Sequence, residues 1–408
     1  MFTLLARLSL VAALGLPLAV IPPALAASHS NTSNACGWDT STGWVARENV
    51  KVGNSNWANG IALEYSGDYT AKEKGVSPTQ WNRNTVGPKA VEGWFDAPSA
   101  TCGDQLGLHI TGNGRPVTIK IYRMGYYSGA GARLITSTTI GAIKQYGSSQ
   151  ISKAPESTVT TNWPVAWYLK INQATIPWQY LLRLDDGDGS GQFRYMEYPI
   201  LRRAEQLGLD MNYITDLELD NNIASLKNTR SILYGGHGEY WTVNMRKALQ
   251  SAVDSGINFV SLGGNAGYAH PRLQANDRQL VMWRSSLADP DRNDPVLATT
   301  GWRQIPISQP EATLLGAQYV GLGVSADYTI PHPNRWPFTT MTHPGALKSI
   351  VGREVDSPLY SIGPAVEVLA DSALGKAVTI MATYYTNAKN AGVVDVQART
   401  KISALQRI

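Results

Sequence analysis

Only two cysteines and five phenylalanines occur among the 408 residues, and Asp, Glu, Lys and Arg together make up 16%, against roughly 25% in an average soluble protein. No run of basic residues exists and the net charge of +4 is thinly spread. The electrostatic footprint of a nucleic-acid binder is therefore missing, and nucleic acid is not expected as a partner. Beyond residue 26 no uncharged apolar stretch reaches the roughly 20 residues that span a bilayer, so no transmembrane segment is expected there. The chain also lacks G-x-S-x-G, H-E-x-x-H and G-x-x-x-x-G-K, which turns the reading away from serine hydrolases, zincins and phosphate-loop enzymes.

What is abundant is tyrosine and tryptophan, 19 and 12 residues. Most large side chains thus carry a polar atom that needs a partner when buried. Residues 1–26 hold one charge, Arg7, then the apolar run Leu8 to Ile21 broken by Pro17, and a small-residue ending at Ala24, Leu25 and Ala26. That is the pattern of a cleaved secretory signal, so a secreted or periplasmic protein is expected. In such a compartment Cys36 and Cys102 read as a disulfide, and neither has a neighbouring His to suggest catalysis.

The patterning divides the chain into four segments, of which the signal is the first. Residues 27–89 form an irregular leader rich in Ser, Asn, Gly and Thr, expected to pack on the segment after it. Residues 90–184 show short runs bounded by turn residues (Val91 to Phe95, Leu106 to Ile110, Val117 to Tyr122, Trp167 to Ile171, Tyr180 to Leu184), the signature of a β-sandwich. From residue 185 to 408 the rhythm changes to strands alternating with helices: helix Tyr198 to Gly208, strand Leu209 to Thr215, strand Ser231 to Tyr234, helix Trp241 to Ser255 and strand Ile257 to Leu262. Such alternation predicts crossovers and a parallel sheet.

Ligands of an open parallel sheet collect outside the carboxyl ends of its strands. Here those ends run into Gly235, Gly236, His237, Gly238 and Glu239, and into Gly263, Gly264 and Asn265. One β-helix-β unit joins them, so His237, Glu239 and Asn265 are expected on one edge. The glycines allow tight turns. Glu239 reads as lying at a helix start, where a carboxylate stays charged as a metal ligand or general base, and His237 could move a proton or bind a metal. The plain alternative is that both merely cap the helix. Asp185, Asp186 and Asp188 lack the spacing of a calcium loop and read as a solvated turn, and His332 and His343 as surface residues.

The GGHGEYW turn (Gly235 to Trp241), followed by LGGN ending at Asn265, resembles the large-subunit, C-terminal-domain family of N,N-dimethylformamidase. Supporting segments are IYRMGYYSGAGARL (Ile121 to Leu134), EYPILRRAEQLGLDMNYITD (Glu197 to Asp216), VGREVDS (Val351 to Ser357) and ATYYTNAKNAGV (Ala382 to Val393), together spanning about residues 90–400. The resemblance implies an immunoglobulin-like β-sandwich followed by a flavodoxin-like or class I amidotransferase-like parallel α/β domain. It implies a mononuclear iron held by two tyrosines and a glutamate, with water attacking an amide carbonyl. Glu239 then matches the metal-binding glutamate, His237 and Asn265 the neighbouring polar residues, and Glu354 a supporting or general-base carboxylate. Where relatives carry a first strand and an aromatic motif, this chain has only DDGDGSGQFRYM between Leu184 and Glu197. Tyr195, Tyr198, or Tyr126 and Tyr127 remain as substitutes, with packing as their plain alternative. The reading is an exported, metal-dependent hydrolase of a C–N amide bond in a small polar molecule. The alternative is a non-catalytic surface or carbohydrate-binding module whose partner is a glycan. A glutamine amidotransferase is excluded because no cysteine occurs after residue 102.

Overall fold

In the computed structural model, residues 36–39, 41–58, 91–146, 150–151, 159–160, 162–172, 197–221, 226, 229–236, 238–277, 279–283, 285–322, 326–340, 346–351, 354–374 and 378–396 are described. The signal segment, the Tyr180 to Leu184 run, Asp185 to Asp188, Tyr195, His237 and His343 lie outside them. The chain is mixed but strand-rich, with few helices.

Cys36 and Cys102 are joined as a disulfide with their Cα atoms 5.7 Å apart. The leader beside it is less irregular than its composition suggests. It contains the helix α1 (Trp44–Asn49), whose Trp44 and Val45 are buried. Next in the chain are strands β1 (Glu92–Phe95), β2 (Gln105–Thr111), β3 (Pro116–Met124), β4 (Ala132–Ala142), β5 (Gln150–Ile151), β6 (Val159–Thr160) and β7 (Val165–Lys170). β1, β2 and β7 make one antiparallel sheet and β3 with β4 a long hairpin. They share a core of Leu106, Ile110, Ile119, Ile121, Leu169 and Ile171, the alternate residues of three strands, which is what a period-2 pattern delivers to one face.

The second half opens with α2 (Tyr198–Gln206), with Pro199 in its first turn where no helical N–H is lost. The strand expected at Leu209 to Thr215 does not form. Asp210 instead accepts the backbone N–H of Gly43 at 2.7 Å and Tyr213 donates its hydroxyl to Glu205 at 3.1 Å, while Asp216 opens the helix α3 (Asp216–Asn221). The next unit matches its pattern. β8 (Ser231–Tyr234) leads to α4 (Val243–Asp254), capped by the Thr242 hydroxyl on the Met245 N–H, and back to β9 (Asn258–Ser261). The buried face of α4, Met245, Ala248, Leu249, Ala252 and Val253, packs on Phe259 and Val393.

The short strands β10 (Ala269–His270), β11 (Arg272–Gln274), β12 (Gln279–Val281) and β13 (Thr300–Gly301), the helix α5 (Ala312–Leu315) and the strand β14 (Ala317–Leu322) intervene. Then come β15 (Ala326–Thr329), β16 (Ala346–Val351), β17 (Glu354–Pro358), β18 (Glu367–Leu374), β19 (Val378–Thr386) and β20 (Gly392–Asp395). The main sheet has the order β16-β15-β18-β19-β20-β9-β8. The parallel α/β domain expected from the sequence is met only in part. β8, β9 and β20 are parallel, while β15, β16, β18, β19 and β20 pair antiparallel along the chain. β18, β19 and β20 are joined by connections too short for a crossover helix, and hairpin pairing is what such connections permit.

Candidate active site

The register of the parallel strands puts Tyr234, Ser261 and Asp395 side by side as the last residues of β8, β9 and β20. Two glycine-rich turns leave this edge, and backbone hydrogen bonds knit them together. The Gly267 N–H donates to the Gly238 carbonyl at 2.8 Å, Ala269 N–H to the Glu239 carbonyl at 2.8 Å, and Trp241 N–H to the Ala269 carbonyl at 3.1 Å. Glu239 and Asn265 are thereby brought to one edge, as the sequence suggested. Glu239 does not sit at a helix start, however. It lies beside the Tyr240–Ala269 bridge, four residues before Val243, and so outside the first turn of α4.

Two glycines are required by close approach. A Cβ on Gly238 would come within 2.3 Å of the Tyr234 ring, and one on Gly264 within 2.2 Å of the Glu354 carbonyl oxygen. The second contact seats the GGN turn directly on β17. Asn265 is buried with φ 63, a left-handed conformation that asparagine tolerates, and its N–H donates to Asp356 Oδ1 at 2.8 Å. Glu354 and Asp356, two apart on β17, share one face of the strand.

β14 completes the wall. It pairs with β17 so that Tyr319 lies opposite Asp356 and Leu322 opposite Glu354. The Tyr319 ring meets Tyr268 edge to face, centroids 5.4 Å apart. Arg303 lies over the other ring, 5.3 Å from the Tyr268 centroid, donates to the Tyr319 carbonyl at 2.8 Å and pairs with buried Glu311 at 2.6 Å.

The electrostatics tie these groups into one site. Burial raises the Tyr319 phenol, and the charges of Glu354, Glu239 and Asp356 raise it further with the Tyr268 hydroxyl. This phenol therefore senses both carboxylates that the sequence singled out. Asp356 is completely buried and its carboxyl is pushed up to about 7. Burial is the main cause, opposed by the Asn265 N–H and Arg303 and reinforced by Glu311 and Glu354. Burial also raises the Glu311 carboxyl, against the pull of Arg303. Asp356 Oδ2 and Asn265 Oδ1 are both buried and accept no hydrogen bond from the described residues.

Sequence reasoning missed Asp356, Tyr319, Tyr268 and Arg303. The i, i+2 spacing in VGREVDS was a readable signal for Asp356, since both acids must face one way on a strand. Nothing local marks Tyr319, whose place depends on long-range register. Of the tyrosines considered as iron ligands, Tyr198 donates its hydroxyl to the Gly131 carbonyl at 3.0 Å, Tyr127 donates to Glu48 at 2.9 Å, and Tyr126 lies beneath Arg202. All three belong to the junction of α1, α2 and the β3/β4 hairpin. Among the described residues no group of three His, Cys, Asp or Glu is arranged to hold a metal ion, and no helix is long and apolar enough to cross a membrane.

No curated protein matches the chain. Residues 186–402, which carry both glycine turns and the β14/β17 wall, match the family described as N,N-dimethylformamidase beta subunit-like, C-terminal. That match takes in more than half of the sequence, and the chain belongs to this family.

Proposed function

We propose that the chain is an exported hydrolase that cleaves a C–N amide bond in a small polar substrate. The observation supporting this is the convergence of Glu239, Asn265 and the Glu354–Asp356 face of β17 at the carboxyl edge of the parallel strands, with the Tyr319 phenol among them. The signal-like residues 1–26 support export. The finer fold assignments, an immunoglobulin-like front and an amidotransferase-like back, belong to the same reading.

The iron implied by the family calls for two phenols beside Glu239. Tyr126, Tyr127 and Tyr198 are engaged at the junction and do not supply them, whereas Tyr319 and Tyr268, in ring contact and with the Tyr319 phenol sensing Glu239, are the phenols that would have to hold it with Glu239; no step is routed through a metal. With the protein's own groups, a carboxylate of Glu239 or Glu354 takes a proton from water as it attacks the carbonyl carbon. The Tyr319 hydroxyl donates to the carbonyl oxygen as negative charge develops there. The proton then passes to the departing nitrogen, so acid and amine leave in balance. Amide hydrolysis by the wild-type chain and by Glu239→Ala tests the proposal. A loss of roughly 100-fold or more is expected, and equal turnover by the two proteins overturns it.

One observation favours a second reading, a glycan-binding surface. Trp336 is 57% exposed and stands edge to face with Tyr384 at 5.0 Å, beside the Arg335–Glu367 pair. An open indole flanked by polar groups is a stacking platform for a sugar ring.

A further inference from the structure

We infer that Arg303, gripped by buried Glu311, is a positioning residue that sets the Tyr268 and Tyr319 phenols in the site. This deepens the amide-hydrolase reading and rests on it. The chain of contacts starts in the core. Leu314 and Leu315 of α5 are fully buried in the cluster that holds the inner face of α4, and their N–H groups donate to the Glu311 carbonyl at 3.0 and 2.9 Å. Glu311 is itself 0% exposed, so the packed interior fixes its carboxylate.

Arg303 meets that carboxylate with two nitrogens, Nη2 on Oε1 at 2.6 Å and Nε on Oε2 at 3.2 Å. A planar fork held at two points has little freedom to swivel. Its remaining nitrogen, Nη1, donates to the Tyr319 carbonyl at 2.8 Å, and its face lies 5.3 Å from the centre of the Tyr268 ring. One rigid group thus touches both tyrosines, which come from different elements. Tyr319 belongs to β14. Tyr268 lies between Gly267 and Ala269, which donate to the Gly238 and Glu239 carbonyls, and its own carbonyl accepts the Trp302 N–H at 2.9 Å, one residue before Arg303. The two rings meet edge to face, centroids 5.4 Å apart.

An ion pair that served stability alone would need only a cation opposite Glu311, and lysine would serve. Arg303 instead turns its remaining nitrogen and its face toward the two phenol-bearing residues. Reacting groups displaced by about 1 Å lose about 100-fold in rate. A clamp on both tyrosines therefore bears on turnover more than on stability.

The test compares the full wild-type chain with Arg303→Lys and Glu311→Gln. Lysine keeps the charge opposite Glu311 but lacks the fork, so Arg303→Lys should melt close to wild type. It should nevertheless lower kcat for amide hydrolysis by about tenfold or more while KM changes by less than about threefold. Glu311→Gln, which loosens the fork from the other side, should lower kcat in the same direction. Fluorine NMR of fluorotyrosine-labelled protein gives a readout independent of turnover. The signals of Tyr268 and Tyr319, assigned through Tyr268→Phe and Tyr319→Phe, should move or broaden in both variants, while those of Tyr328 and Tyr385 stay in place. Wild-type kcat in Arg303→Lys, or unmoved Tyr268 and Tyr319 signals, overturns the inference. Unfolding of both variants would assign the pair to stability and overturn it too. Absence of amide hydrolysis by wild type overturns the hydrolase reading instead, and displaced ring signals then still uphold the clamp.

Discussion

Two carboxylates in this molecule are buried to the same degree and treated in opposite ways. Glu205, at the junction of α1, α2 and the β3/β4 hairpin, is met by Arg123 on both oxygens (2.6 and 2.7 Å), by the Asn49 amide at 2.8 Å and by the Tyr213 hydroxyl at 3.1 Å. Asp356, at the carboxyl edge, has one backbone N–H and a second oxygen with no donor from the described residues. The environment of Glu205 raises Arg123 above its ordinary value, working against burial. The environment of Asp356 drives its own carboxyl upward. A completed set of partners marks an acid that locks the fold. An incomplete set marks one held ready for something else.

Breaking the completed set should have the largest effect. Arg123→Ala leaves Glu205 charged and buried, and urea unfolding should show a loss of about 3–5 kcal/mol, since removing one member of a buried pair costs far more than the pair is worth. A loss below about 1 kcal/mol would mean the junction carries little of the stability.

The incomplete set should show itself in pH dependence. Asp356 moves from an ordinary 3.8 to about 7, so between those values the folded state holds a proton that the unfolded chain has released. Its contribution to stability is therefore present at low pH and is lost as pH rises toward 7, by an amount on the order of 4 kcal/mol. Urea melts across that window should show this downward slope in wild type, and Asp356→Asn should flatten it. A slope unchanged in the variant would assign it to other groups.

The smallest effect belongs to the surface. Trp336→Ala should alter stability by less than about 0.5 kcal/mol. On a glycan array, binding by wild type that disappears in this variant would favour the second reading of function, whereas an array blank for both proteins would remove its one support.

How much was legible in advance depends on the same division between local and distant causes. β8, α4 and β9 were readable because each has a local signal: an apolar run, the Thr242 cap, the stop at Gly256. The disulfide was readable from the count of cysteines alone. The stretch Leu209 to Thr215 had the right alternation for a strand, but its polar residues are consumed by Gly43 and Glu205 at the junction. β20 completes the parallel trio from more than a hundred residues away, so no local pattern could pair it with β9. The site divides likewise. Glu239 and Asn265 were visible because glycines advertise their turns, whereas Tyr319 and Arg303 arrive through the β14/β17 register and an ion pair.

The most direct test of the distinction sets Asp356→Asn beside Glu205→Gln, measuring melting and amide turnover for each. Asp356→Asn retains the acceptor for the Asn265 N–H and removes a buried charge. It should melt no lower than wild type at pH 7 and lose turnover by at least about tenfold through misplaced site groups. Glu205→Gln should melt lower and keep the turnover of its folded molecules. Asp356→Asn with undiminished turnover, or with a melting loss like that of Glu205→Gln, would contradict the contrast drawn between the two acids.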